Sequence, residues 1–180
     1  KELIEKEVKY ELKQKELAIQ KKQAELNALQ SQINPHFLFN TLETIRMRSM
    51  LKKEDETAHA IKLLAKLLKR SIRWNKDLIT IEEELSAVKD YLEIQKYRFG
   101  DKLNYKIEIE DDVLSVKIPK MTIQPLVENS CVHGIENRKE SGFIIVRITK
   151  EDGYMKIESI DSGIGMELSK LEEILNNIKN

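Results

Sequence analysis

A histidine directly after a proline, in the run Ile33-Asn34-Pro35-His36-Phe37-Leu38-Phe39-Asn40, is the first side chain here with the character of a reacting group. Neutral imidazole is a good nucleophile near pH 7, and whatever hydrogen-bonds the ring selects the nitrogen that reacts. Pro35 lacks the N–H that would bond back to the carbonyl of Ser31. A helix running through it is therefore expected to kink and to leave an unpaired carbonyl near His36. His36 and Asn40 are four apart and share a helix face, with Glu43 three residues further along it. Asn40 could orient the ring or position a water. An ordinary half-buried helical histidine is the competing reading, and the residues downstream decide between the two.

Two more constellations could build a pocket for such chemistry. Glu128-Asn129 is followed at helical spacing by His133-Gly134, which sets a carboxamide and an imidazole on one side of an otherwise apolar helix. An inward asparagine needs a partner. A hydrated magnesium ion carrying nucleotide phosphates would supply one, because magnesium prefers oxygen ligands and keeps several waters. Backbone groups at the helix end are the alternative partners for Asn129 and His133. Asp161-Ser162-Gly163-Ile164-Gly165 then places an acid and a glycine-rich turn directly after a strand. The acid could accept a bond from an exocyclic amine while the glycines let a flat base approach the backbone. Many surface turns share that pattern, so it gains meaning only beside the others.

The elements that must position these groups differ in kind along the chain. Its 180 residues are 34% charged and only 6% aromatic, which suits an extended helical piece plus a small globular one. Lys plus Arg equals Asp plus Glu at 31 each, interspersed, so no basic stripe for nucleic acid emerges. The lone Cys131 cannot form an intrachain disulfide, and a reducing compartment is the default. No apolar run approaches membrane-spanning length, and the chain opens inside a charged helix with no signal peptide, so it is expected to be an excised piece.

Leu12, Ile19, Leu26 and Ile33 recur every seven residues, with Val8 and Leu29 on the neighbouring seam position. Lys15 and Lys22 weaken that seam, and a long unpartnered helix is the alternative. The helical pattern from Lys1 to Leu51 breaks only at Pro35, giving a rod of roughly 75 Å at about 1.5 Å per residue. A charged turn at 52–56 leads to a second helix with a stripe at Ile61, Leu64, Leu68 and Ile72, supplemented by Leu63, Leu67 and Trp74 and expected antiparallel to the segment around His36. Two such hairpins would make a four-helix bundle. Thr80-Ile81-Glu82-Glu83 is a capping box that opens a helix running to about Phe99, and Gly100 ends it. Alternation at Leu103, Tyr105, Ile107 and Ile109 then predicts a strand, with a short one at Val116–Ile118 closed by Pro119. A buried helix is expected over 121–135, a hairpin of strands at 143–149 and 154–160, and a last helix from Met166. This second part reads as an α+β sandwich.

The order of Q-I-N-P-H-F-L-F-N-T-L around His36, Y-L-E-I-Q-K-Y-R-F at 91–99, Q-P-L-V-E-N at 124–129 with H-G at 133–134, and D-S-G-I-G-M at 161–166 resembles the LytS/YesM-type sensor histidine kinases. The match spans roughly residues 29–166. The resemblance implies an α plus α+β chain, in which a long helical hairpin forms a dimeric four-helix bundle and a GHKL-type α/β sandwich follows, lacking its C-terminal part. The implied division is a signalling coiled-coil helix over 1–30, dimerisation and histidine-phosphotransfer helices over 31–99, and an incomplete ATP-binding domain over 100–180.

By motif position His36 would be phosphorylated from ATP and would pass the group to an aspartate on a response regulator. Asn40 would assist at His36. Asn129 would hold magnesium, Asp161 would bond the adenine amine, Gly163 and Gly165 would shape the base pocket, and Glu128 and His133 would lie near the phosphates. The resemblance also implies a membrane-anchored parent protein with this segment on the cytoplasmic side, making no membrane contact itself. Three departures stand out: Val132 replaces a usual lysine, Glu43 a usual asparagine, and the chain ends before a second glycine-rich motif. Phe37 stands where other histidine kinases place an acid, so ring orientation would come from the kink carbonyl or Glu43. Val132 and the early end also motivate a second reading, a non-catalytic dimeric scaffold with a degenerate nucleotide domain. A GHKL ATPase of another kind would leave the His36 segment unexplained.

Overall fold

A computed structural model describes Tyr10, residues 13–22, 34–73 and 77–136, Arg138 and residues 140–179. The chain divides into two units after Thr41. In the first, residues 13–22 are helical and Ile19 is exposed. Val8, Leu12, Leu26, Leu29 and Ile33, which would make most of the heptad seam, lie outside the described residues. Helix α1 (Pro35–Leu51) begins where a kink was expected. Asn34 is not helical; its side-chain oxygen accepts from Phe37 N at 3.2 Å and its carbonyl from Leu38 N at 3.2 Å. That is an N-cap, and a proline at the first helical position gives up an N–H that would be unpaired anyway. The expectation of one rod kinked at Pro35 is corrected on this point: Asn34 caps a helix that starts there.

The charged turn is present, with Lys53 at φ 61° and Glu54 N donating to Ser49 O at 2.9 Å. Helix α2 (Asp55–Arg73) follows, and α3 (Ile81–Phe99) is the helix it is tied to. Asp90, buried on α3, takes Lys66 Nζ at 2.7 Å and Arg70 Nη1 at 3.0 Å, while Arg70 Nη2 donates to Ser86 Oγ at 2.9 Å. At the other end Thr57 and Tyr97 share a hydroxyl–hydroxyl bond of 2.9 Å. The inward face of α2 carries Ala58 and Leu63, the second of which supplements the expected stripe, while Leu64 of that stripe is exposed.

The capping box forms as read: Thr80 Oγ1 accepts from Glu83 N at 3.1 Å and Glu83 Oε2 accepts from Thr80 N at 2.9 Å. Gly100 at φ 58° ends α3. Just before the box lies a strand too short for alternation to reveal, β1 (Leu78–Thr80), which pairs antiparallel with β3 (Lys117–Pro119). The main sheet is mixed, in the order β2 (Leu103–Ile109), β4 (Gly142–Glu151), β5 (Tyr154–Asp161). β2 and β4 are parallel with Leu103 opposite Gly142; β4 and β5 are antiparallel, joined by a turn with Asp152 at φ 48° and Gly153 at φ 85°. Between β3 and β4 run α4 (Gln124–Asn129) and a π-helical segment, Ser130–Glu136; α5 (Leu168–Lys179) follows β5.

Every second residue of β4, namely Ile144, Val146 and Ile148, is buried under Ile81, Leu85, Val88 and Leu92 of α3 and Val127, Cys131 and Ile135 of the next helical stretch. The division expected between residues 99 and 100 falls at the end of a helix that packs on the sheet. α3 shares one apolar core with the sheet, because its buried face spans 81–92 and has nowhere else to go.

Glu84, fully buried on α3, joins that core to α4. Its Oε1 accepts from Ile123 N at 2.7 Å and from Gln124 N at 3.3 Å. Glu84→Ala leaves the buried Ile123 N–H and the partly buried Gln124 N–H unpaired, and a buried donor so left costs about 1–3 kcal/mol. Urea unfolding should show a loss of about 1–3 kcal/mol, with Glu84→Gln, which keeps an accepting oxygen, losing clearly less.

Candidate functional site

Two segments meet to form the site, and local chemistry sets each. Pro125 sits in the first turn of α4, where it is tolerated. Val127, Cys131 and Ile135, four apart, are all buried and fix the rotation of this stretch about its axis. Asn129 and His133 are thereby left on the open side. The stretch widens into π-helix at Ser130, a feature that often accompanies functional sites and that a period of 3.6 does not disclose. Ser130 Oγ lies 2.9 Å from Ser159 Oγ, so the widened turn is tied directly to β5.

At the end of β5 the pairing with β4 carries on one residue past Asp161. Ser162 N donates to Phe143 O at 3.1 Å and Phe143 N donates to Ser162 Oγ at 3.0 Å. Gly163 N then turns back to donate to Asp161 Oδ1 at 2.8 Å. A Cβ on Gly134 would stand 2.7 Å from Asp161 Oδ1, and one on Gly163 would stand 2.7 Å from both that oxygen and Gly134 Cα. The carboxylate thus lies against two backbones that touch because neither carries a side chain.

Asn129, His133, Asp161 and Gly165 line one cavity of about 660 Å³. Sequence reading had these four on two separate motifs; the fold brings them onto one wall. Ile164, Met166, Glu167 and Lys170 complete the lining and were missed. The signal was faint: Glu167 and Lys170 are one helical turn apart at the start of a helix that directly follows the glycine-rich turn. Gly163 supports Asp161 from behind. Glu128 is not on the cavity wall: Gln124 Nε2 donates to its Oε1 at 2.8 Å. Val132 is 44% exposed and lies off the cavity wall as well.

In the first unit His36 is exposed and Asn40 Nδ2 lies 3.3 Å from both ring nitrogens. An amide equidistant from the two does not by itself select a tautomer. Glu43, in the second unit, is engaged by Arg46, whose Nε donates to Oε2 at 2.9 Å; these hydrogen bonds hold its carboxyl below the usual carboxylate range. Burial pushes the Cys131 thiol up to about 11 and raises the Tyr91 hydroxyl, which hydrogen-bonds it. Cys131 is therefore a packing residue on the back of the turn that presents His133.

Asn129, His133, Asp161 and Gly165 on one open cavity wall are the geometry against which the likeness to known proteins is set. Residues 24–103 match the family model described as histidine kinase. The chain is 39% identical over 151 residues to the sensor histidine kinase YesM of Bacillus subtilis, covering 84% of this chain and 26% of that protein. It is 38% identical to the sensor protein LytS of Oceanobacillus iheyensis (86% of this chain, 26% of LytS) and 40% identical to the sensor histidine kinase YpdA of Escherichia coli K12 (84% and 26%). Over most of its residues the chain is homologous to the sensor histidine kinases YesM and LytS. It spans about a quarter of the length of these curated relatives. A solved histidine kinase domain from Erythrobacter litoralis EL346 is 15% identical, with a TM-score of 0.40 over 76% of this chain and 75% of that one, too distant to bear on the fold.

Gly134→Ala drives a methyl into the Asp161 carboxylate and should cost about 1–3 kcal/mol in thermal or urea unfolding, as overpacking does. Cys131, buried and protonated far above its ordinary range, should react with a disulfide reagent at pH 8 at least about 100-fold more slowly in the folded protein than in 8 M urea. Raising the pH toward 11 should speed the reaction.

Proposed function

We propose that this segment is the core of a two-component sensor kinase, in which His36 takes a phosphoryl group from Mg-ATP held at the Asn129–Asp161 cavity and passes it to an aspartate of a response regulator. The observation that carries this reading is the meeting of Asn129, His133, Asp161 and Gly165 on one open cavity wall. The residues fit a nucleotide. Asp161 Oδ1 is occupied by Gly163 N, and Oδ2 is left to accept from an exocyclic amine. Ile164 and Met166 offer apolar cover to a flat base, beside Gly165 at φ 75°.

Asn129 would hold the metal. Among the described residues no group of three or more His, Cys, Asp or Glu side chains is placed to bind a metal ion. A magnesium ion at Asn129 would thus complete its shell with phosphate oxygens and water, its usual habit. Bound Mg-ATP would supply the γ-phosphoryl group and cancel the charge that its transfer moves. His36 would offer a ring nitrogen, and with Glu43 held by Arg46 the steering of the ring falls to Asn40.

A dimer through a four-helix bundle is supported by the apolar side chains that α1 leaves uncovered in a single chain: Phe37 at 65%, Met47 at 56% and Leu51 at 84% exposure. The α+β part would be the GHKL nucleotide domain, with α3 belonging to its core. The family resemblance implies a membrane-anchored parent with this segment on the cytoplasmic side. Among the described residues no helix is long and apolar enough to cross a membrane.

Incubating the full protein with labelled ATP and magnesium should give an acid-labile, base-stable phosphate that His36→Gln abolishes. Asn129→Ala should lower incorporation at least about tenfold, as loss of a group that positions phosphate and metal does. Label that survives in His36→Gln would sink the assignment. Calorimetry with no magnesium-dependent ATP binding would favour a non-catalytic dimeric scaffold.

A further inference from the structure

We infer that Lys170, in the first turn of α5, grips the phosphate end of the nucleotide; this rests on the nucleotide reading of the cavity and names a residue within it. Lys170 is the only lysine or arginine among the residues lining the cavity. It is also uncommitted: among the described residues it has no ion pair or hydrogen bond. Glu167, one turn back on the same lining, lies beyond salt-bridge distance of it. Elsewhere in this sheet domain Lys106 is paired with Glu108 and Lys156 with Glu158.

The charge on the wall makes that cation matter. Apart from Lys170, the formally charged lining groups are the carboxylates of Asp161 and Glu167. A polyphosphate entering beside two carboxylates meets repulsion that Asn129 and the glycines cannot offset. Lys170 supplies an attractive charge on that wall, and its four-carbon stem gives the ammonium the reach to follow a phosphate chain. Asp161 is pinned by Gly163 N against Gly134 and can serve only the base end, since a carboxylate accepts from an amine and repels a phosphate. The two charged groups therefore divide the ligand: Asp161 recognises the base, Lys170 the phosphates.

That division sets the test. Calorimetry on the full protein with Mg-ATP and with adenosine should show Lys170→Ala weakening ATP about tenfold, as loss of a charge-assisted contact does, while adenosine changes less than about twofold. Lys170→Arg should restore most of the ATP affinity, and Lys170→Glu should weaken ATP further than alanine does. Asp161→Ala should weaken both ligands together. Equal changes for ATP and adenosine in Lys170→Ala, or no change in either, overturn the role of Lys170 and leave the nucleotide site standing. A wild-type protein that binds neither ligand overturns the nucleotide reading itself, and the role of Lys170 with it.

Discussion

One carboxylate oxygen, Glu84 Oε1, receives two backbone N–H groups at the point where the chain leaves its small two-stranded sheet and enters α4. Those N–H groups, of Ile123 and Gln124, have no helical partner at that end, and Ile123 is fully buried. Placing the acceptor on α3 makes the start of α4 a property of α3. From that start the buried series Val127, Cys131, Ile135 fixes the rotation of the segment, and Asn129 and His133 are left facing outward. The open side of the cavity is thus a consequence of what its closed side must bury, and the Glu84 contact decides where along the sheet this happens.

The second half of the site depends on an absence of atoms. Gly134 comes from the helical segment and Gly163 from the turn after β5, and the two backbones approach closely enough that a Cβ on either would strike the Asp161 carboxylate. The Ser130–Ser159 bond and the continued pairing of Ser162 with Phe143 hold the two segments in that approach. Asp161 is consequently oriented by backbone, through Gly163 N, and its direction owes little to flexible side chains. A preset carboxylate loses less freedom on meeting a ligand than one that must be ordered first.

How much of this was legible in the sequence follows from the range of each signal. The capping box at Thr80–Glu83, the alternation of β2 and the turn at Asp152-Gly153 are local, involve a few residues each, and stand where they were read. β1 escaped because three residues carry no period, and the π-helical widening escaped because the buried spacing of four fits an α-helix as well. Pro35 was misjudged because Asn34 competes for its helix: a capping side chain turns a break into a beginning. Glu84 looked like one more charged residue in a first turn of three acids, and nothing nearby in sequence announces the two N–H groups it serves 39 and 40 residues later. The cavity was half visible, since Asn129, His133, Asp161 and Gly165 belong to compact motifs. Lys170 did not, because an exposed lysine on an amphipathic helix is ordinary until the fold shows which wall it stands on.

The packing of α3 on the sheet has a mechanical meaning. α3 has two partners of different character. Toward the sheet it buries Ile81, Leu85, Val88 and Leu92, each worth about 1.5–3 kcal/mol in apolar area removed from water. Toward α2 it offers Asp90 to Lys66 and Arg70, whose side chains are 47% and 23% exposed, and a hydroxyl pair at Thr57 and Tyr97. Partly exposed ion pairs contribute about 0–1 kcal/mol each. Ala58 and Leu63 add a smaller apolar contribution on the inward face of α2, so α3 is held more strongly to the sheet than to α2. Two routes therefore lead from α2 toward the cavity: through α3, by way of Glu84 and the start of α4, and along the chain through β1 and its pairing with β3.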